Sequence, residues 1–137
     1  MKVAEMMSTD VCVAAPSDSL QRAAMLMAQN DIGSLPVGDG DRLVGFLTDR
    51  DITVRAVAEG RGPDTPISEV MSAEVKYCYM DDEVDDVAKN MADLEIRRLP
   101  VVNRDKRLVG IVSLGNFAQS GHKHASQDLL EGVAARH

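Results

Sequence analysis

The groups best placed to do chemistry are a hydroxyl and a carboxylate three residues apart. In "GFLTDRDI", Gly45 to Ile52, an apolar run stops at Thr48 and Asp51 follows three positions on. A hydroxyl at that point caps a helix by accepting a first-turn N–H, and the later carboxylate reciprocates as a capping box. The same geometry at an open surface does something else. Unpaired N–H groups and the positive end of a helix dipole suit a phosphate, and the carboxylate can accept from two ribose hydroxyls. Gly45 lets the strand approach another backbone or a ligand closely. The junction recurs as "GIVSLGNF", with Ser113 at the hydroxyl position and Asn116 at the carboxylate position.

Other polar groups are less specific. Arg97 and Arg98 precede Leu99 and Pro100; they read either as a solvated strand end or as a planar grip on phosphate oxygens. Arg50 could take that role, or be held by Asp49 and Asp51. The acidic run Met80 to Asp86, "MDDEVDD", lies at a helix start, where the dipole favours negative charge; it lacks EF-hand spacing, so no metal is expected. His122, His124 and His137 fall in a tail, and Cys12 and Cys78 have no metal-like or disulfide spacing. No nucleophile–base pair can be assembled, so the chain is not read as an enzyme. Its net charge of −7 argues against nucleic acid as partner.

These groups must be positioned by elements, and the elements come twice. At an offset of 64, "EMMSTDV" from Glu5 meets "EVMSAEV" from Glu69, and "DIGSLPV" from Asp31 meets "EIRRLPV" from Glu95. One residue later, "RLVGFLT" from Arg42 meets "RLVGIVS" from Arg107. Leu20, Ala23, Ala24 and Met27 form an apolar helix stripe, matched by Val84, Val87, Ala88 and Met91. Each copy predicts a strand near Val11 to Ala14 (or Val75 to Tyr79) and a helix from Ser19 to Asn30 (or Glu83 to Leu94). An antiparallel hairpin follows, with strands at Leu35 to Val37 and Leu43 to Leu47 (or Leu99 to Val102 and Leu108 to Val112). A last helix starts at Thr48 or Ser113. The fold class is α+β, an α/β sandwich of two tandem β-α-β-β-α repeats under pseudo-two-fold symmetry, with clefts between the repeats. The first repeat is set at 1–60, the linker at 61–67, overlapping the stretch Ala58 to Pro66, the second repeat at 68–120, and a tail with a possible short helix at 121–137. With 137 residues, no apolar membrane span and no secretory signal at the start, the expectation is a stand-alone cytoplasmic module.

The doubled pattern "MSTDVCVAAPSDSL", "DIGSLPV", "LVGFLTDRDI", "VMSAEVKYCYMDDEV", "EIRRLPVV" and "LVGIVSLGNF" resembles the cystathionine-β-synthase-type (CBS) domain pair, or Bateman module, over residues 1 to 118. The resemblance implies a non-catalytic sensor that binds an adenosyl ligand (AMP, ADP, ATP, S-adenosylmethionine or an NAD-like compound) between the repeats and signals to an effector protein by changing shape. It implies one site with Phe46, Leu47, Thr48 and Asp51 facing Val75, Lys76, Tyr77, Arg97 and Arg98. Thr48 would meet phosphate, Asp51 ribose, and first-strand backbone the adenine edge. A second, weaker site would hold Ile111, Val112, Ser113 and Asn116 opposite Val11, Cys12, Val13, Gly33 and Ser34, because Asn116 lacks the charge of the usual aspartate. The resemblance also implies a homodimer built through helices. The helix after Thr48, with Ile52, Val54, Ala56, Val57 and Ala58, has apolar residues to spare for it. The rival reading is a ligand-free interaction module whose junctions only cap helices.

Overall fold

The computed structural model describes residues 1–119; the expected tail at 121–137 and its three histidines lie outside them. The described residues form two compact units, Cys12–Val75 and a second made of Met1–Val11 with residues 76–119. The leading eleven residues therefore pack with the second repeat rather than with the first.

In the Cys12–Val75 unit, α1 spans Leu20–Asn30, β1 Ser34–Asp39, β2 Arg42–Thr48 and α2 Asp49–Asp51. Ser19 starts α1 by accepting from the Arg22 N–H, and Asp31 ends it in the left-handed region at φ 52°. Strands β1 and β2 pair antiparallel, with Ser34 opposite Thr48, as the hairpin expectation requires. Leu20, Ala23 and Met27 of the predicted stripe are buried, whereas Ala24 is exposed. The strand expected at Val11 to Ala14 reduces to a single parallel bridge, Ala14 to Val37. After α2 the helix continues with π-type bonding over Ile52–Ala56 and one 3-10 turn over Val57–Glu59. Ile67, at the end of the expected linker, and Val70, from the opening of the second repeat, complete this unit's core with Leu35, Val37 and Leu47.

The other unit repeats the plan. β3 is Cys78–Tyr79, α3 Val84–Leu94, β4 Arg98–Val102, β5 Leu108–Ser113 and α4 Leu114–Gln119. The sheet order is β3-β4-β5, with β3 parallel to β4 and β4 antiparallel to β5. The expected strand at Val75 to Tyr79 is thus only its last two residues. Helix α3 buries all four stripe residues, Val84, Val87, Ala88 and Met91; the two valines and the methionine each contribute about 1.5–3 kcal/mol. Glu95 ends it in the left-handed region, as Asp31 ends α1. The core includes Val3 from the start of the chain and Phe117 from α4. Among the described residues no helix is long and apolar enough to cross a membrane.

Candidate functional site

The junction after β2 is built by reciprocal hydrogen bonds. The Asp51 N–H donates to Thr48 Oγ1 at 3.0 Å, and the Thr48 N–H donates to Asp51 Oδ2 at 2.9 Å. This is the capping box read from the sequence. It leaves Asp51 Oδ1 outside the pair, and leaves the Thr48 hydroxyl hydrogen to donate, since the oxygen only accepts. The expectation of unpaired N–H groups at this helix start is not met. The Asp49 N–H donates to the Gly33 carbonyl at 2.9 Å and the Arg50 N–H to Asp49 Oδ1 at 2.8 Å. With the Asp51 N–H on Thr48, all three N–H groups of α2 are occupied. Any anion here must be met by the hydroxyl and by side-chain cations.

The second junction differs in more than charge. Asn116 Oδ1 accepts from the Ser113 N–H at 2.9 Å and from the Ser113 hydroxyl at 3.0 Å. Its amide nitrogen donates to Ser8 Oγ at 3.1 Å. Asn116 is therefore a tether holding the leading segment, a role the sequence did not reveal. Ser8 is also bridged to Ile111 through both backbone groups at 2.9 Å. Ser72 bridges Phe46 in the same way at 2.9 Å, but its hydroxyl donates to the Glu74 carbonyl at 3.4 Å.

The glycine of each junction serves packing. A Cβ on Gly45 would stand 2.3 Å from Met71 Sδ, and one on Gly110 would stand 2.6 Å from Met7 Sδ and 2.9 Å from the Ser8 carbonyl. The close approach expected at Gly45 is thus to a methionine of the repeated "EMMS/EVMS" motif.

Of the residues expected to meet a ligand, Leu47 and Val112 turn their side chains into the cores, so only their backbone could contribute; Ile111 is also buried but, next to Val112 on the strand, faces the other side of the sheet. The backbone N–H and C=O of Phe46 and of Ile111 are taken by Ser72 and Ser8. Gly33, Val13 and Lys76 are exposed, and Val11, Cys12, Ser34, Phe46, Val75 and Tyr77 are half-buried. The register places Arg98 directly opposite Ser113, and the Arg97 carbonyl accepts from the Leu114 N–H at 3.2 Å. Within its own unit the arginine pair therefore stands at the Ser113–Asn116 junction, as Gly33 and Ser34 stand at the Thr48–Asp51 junction. The resemblance implies that the arginines face Thr48 from the other repeat; strand register, invisible without pairing, adds that Arg98 lies beside Ser113 of its own unit.

The acidic run is accounted for locally. Asp82 accepts from the Tyr79 N–H, Asp81 pairs with Arg104, and Glu83 pairs with Lys2. The Lys2 ammonium beside Glu83 holds that carboxyl below its ordinary range. Among the described residues no three His, Cys, Asp or Glu side chains gather as a metal set.

Two α/β units, each closing its hairpin on a hydroxyl paired with a carboxylate or amide three residues on, define a tandem-repeat module of mixed α+β architecture. The chain belongs to the CBS domain family: the CBS domain model matches residues 3–57 and 67–121. It is 44% identical over 116 residues to the CBS domain-containing protein YhcV of Bacillus subtilis, covering 85% of this chain and 82% of the relative. It is 32% identical over 133 residues to Hypoxic response protein 1 of Mycobacterium tuberculosis, covering 96% and 92%. A solved CBS domain pair, that of protein MJ0100 in complex with 5′-methylthioadenosine and S-adenosyl-L-methionine, is 29% identical with a TM-score of 0.75, over 90% of this chain and 98% of that one.

Proposed function

We propose that the chain is a regulatory module that binds an adenosyl ligand and passes the binding on as a change of shape to an effector protein. The observation that carries it is the Thr48–Asp51 junction, where the cap uses Asp51 Oδ2 and Thr48 Oγ1 as acceptors yet keeps Oδ1 and the hydroxyl hydrogen for a ligand. A pre-ordered carboxylate receives ribose hydroxyls without paying to fix its rotamer. The ligands of the MJ0100 pair support the adenosyl class. In this reading Asp51 takes the ribose, Thr48 the phosphate or its equivalent, and Phe46, Leu47, Val75, Lys76, Tyr77, Arg97 and Arg98 the rest. The Ser113–Asn116 site, with Ile111, Val112, Val11, Cys12, Val13, Gly33 and Ser34, is the weaker one because its amide is spent on Ser8 and Ser113. The module works in the cytoplasm as a homodimer, supported by the exposure of Val54 and Val57 on the helical run after Thr48.

The cap itself favours a second reading, an interaction module without ligand, since the N–H groups of α2 are already satisfied. Asp51→Asn separates the two. An amide oxygen can still accept the Thr48 N–H, so the cap survives while the charge is lost. Titration with AMP, ATP and S-adenosylmethionine should show affinity falling about tenfold in Asp51→Asn with the melting temperature nearly unchanged. No thermal shift or binding heat from any of them in the wild type sinks the adenosyl reading.

A further inference from the structure

We propose that Tyr79, Arg104 and Asp81 form a positioning set that holds the Tyr77 ring against the adenine ring of the ligand, an assignment that rests on the adenosyl reading above. Tyr77 and Tyr79 are the chain's two tyrosines. Their ring centroids lie 5.7 Å apart with planes at 84°, an edge-to-face contact. The Arg104 guanidinium sits 5.1 Å from the Tyr79 ring centroid, a cation over an aromatic face. Arg104 is itself anchored, its Nε 3.1 Å from Asp81 Oδ2 and its Nη2 on the same oxygen. That guanidinium holds the Asp81 carboxyl below its ordinary range. Two turns, one after β3 and one between β4 and β5, thus meet on Tyr79, and Tyr79 meets Tyr77.

The fold does not require this cluster. At the offset of 64, Val13, Ala15 and Ser17 stand where the other repeat has Tyr77, Tyr79 and Asp81, and the turn "GDGD" holds no arginine. The Cys12–Val75 unit closes its own core without any of it. Nor is the ion pair a stability device, because the Arg104 and Asp81 side chains are 73% and 45% exposed, and exposed pairs contribute little. What the cluster does achieve is to order a half-buried ring in advance. A flat base stacks on any aromatic face, and a pre-ordered ring binds it at lower entropic cost.

The chain has no tryptophan, so its near-ultraviolet emission reports these two rings alone. Tyr79→Phe keeps both ring contacts and leaves Tyr77 as the single emitter. Wild type and Tyr79→Phe are titrated with S-adenosylmethionine, 5′-methylthioadenosine and AMP, by emission and by calorimetry together. The expected result is a saturable change in Tyr77 emission that tracks the heat, with affinity in Tyr79→Phe near wild type. Tyr79→Leu and Arg104→Ala should each weaken binding about fivefold, the worth of one aromatic contact, with the melting temperature little changed. Heat without an emission change in Tyr79→Phe, or wild-type affinity in Tyr79→Leu, overturns the positioning role and leaves the adenosyl reading standing. Absence of binding heat and thermal shift for all three compounds removes both. Should Tyr79→Leu fail to fold, the emission of Tyr79→Phe decides alone.

Discussion

Asp51 and Asn116 hold corresponding places in the two repeats and do different work. Asp51 closes a capping box with Thr48 and presents a second oxygen; Asn116 needs its amide hydrogens to hold Ser8. Replacing Asn116 by Asp should cost little stability, because the Ser8 hydroxyl can turn to donate to the new carboxylate while the Ser113 N–H keeps its acceptor. With Arg98 already opposite Ser113, the added charge should raise the ligand stoichiometry per chain from one toward two in calorimetric titration; unchanged stoichiometry would mean that the Ser8 tether, not the missing charge, closes this site. Cys78 is a second residue-scale case. Burial pushes its thiol up from 9.0 to about 12, so at pH 8 its thiolate is roughly a thousandfold rarer than that of an ordinary cysteine. A thiol reagent at that pH should modify Cys12 and reach Cys78 only on unfolding. Because the folded value is the raised one, this thiol's contribution to stability is intact below about 9 and is lost as the pH climbs to about 12.

At the scale of elements, each second hairpin strand is locked to the start of the opposite copy of the motif. Gly110 lies under Met7 and the Ser8 carbonyl, and Gly45 under Met71. Backbone cannot step aside as a flexible side chain can, so Gly110→Ala should destabilise by about 1–3 kcal/mol through overpacking. Gly45→Ala meets only the methionine and should cost less, and Gly45→Ala combined with Met71→Ala should recover part of the loss. Chemical denaturation of the three variants gives the order; equal losses at the two glycines would disprove the backbone clash. The π-type turn at Ile52–Ala56 is the other element-scale feature. It lets Ala56 face the core while Val54 and Val57 stay outside, and such wide turns recur beside functional sites.

At the scale of the whole molecule, exposed valines on the helical run after Thr48 bear on assembly. Val57 is 66% exposed and Val54 44%, a cost in water that association would remove. Light scattering at micromolar concentration should give a dimer, and Val57→Glu should give a monomer with unchanged melting of the individual chain at low concentration. A wild-type monomer throughout that range would refute the dimer. Charge alone does not oppose pairing at physiological salt, where the net −7 is screened over about 8 Å.

Much of this was legible in the sequence because it is carried by local pattern. The offset of 64 exposed both repeats, the 3.6-residue stripes located α1 and α3, and the polar stop after the first apolar run predicted the cap that Thr48 forms. The family followed from the same motifs. What no local pattern encodes is which residues meet across the fold. Strand register put Arg98 beside Ser113, the path of the chain put Val3 in the core with Phe117 and Ile67 in the core with Leu47, and packing turned Leu47 and Val112 inward. The N–H groups after Thr48 were read as open because helix starts leave them unpaired by their own geometry; only tertiary contact brought the Gly33 carbonyl to one of them. Residue type and spacing determine what a group can do, and the fold decides what remains free to do it.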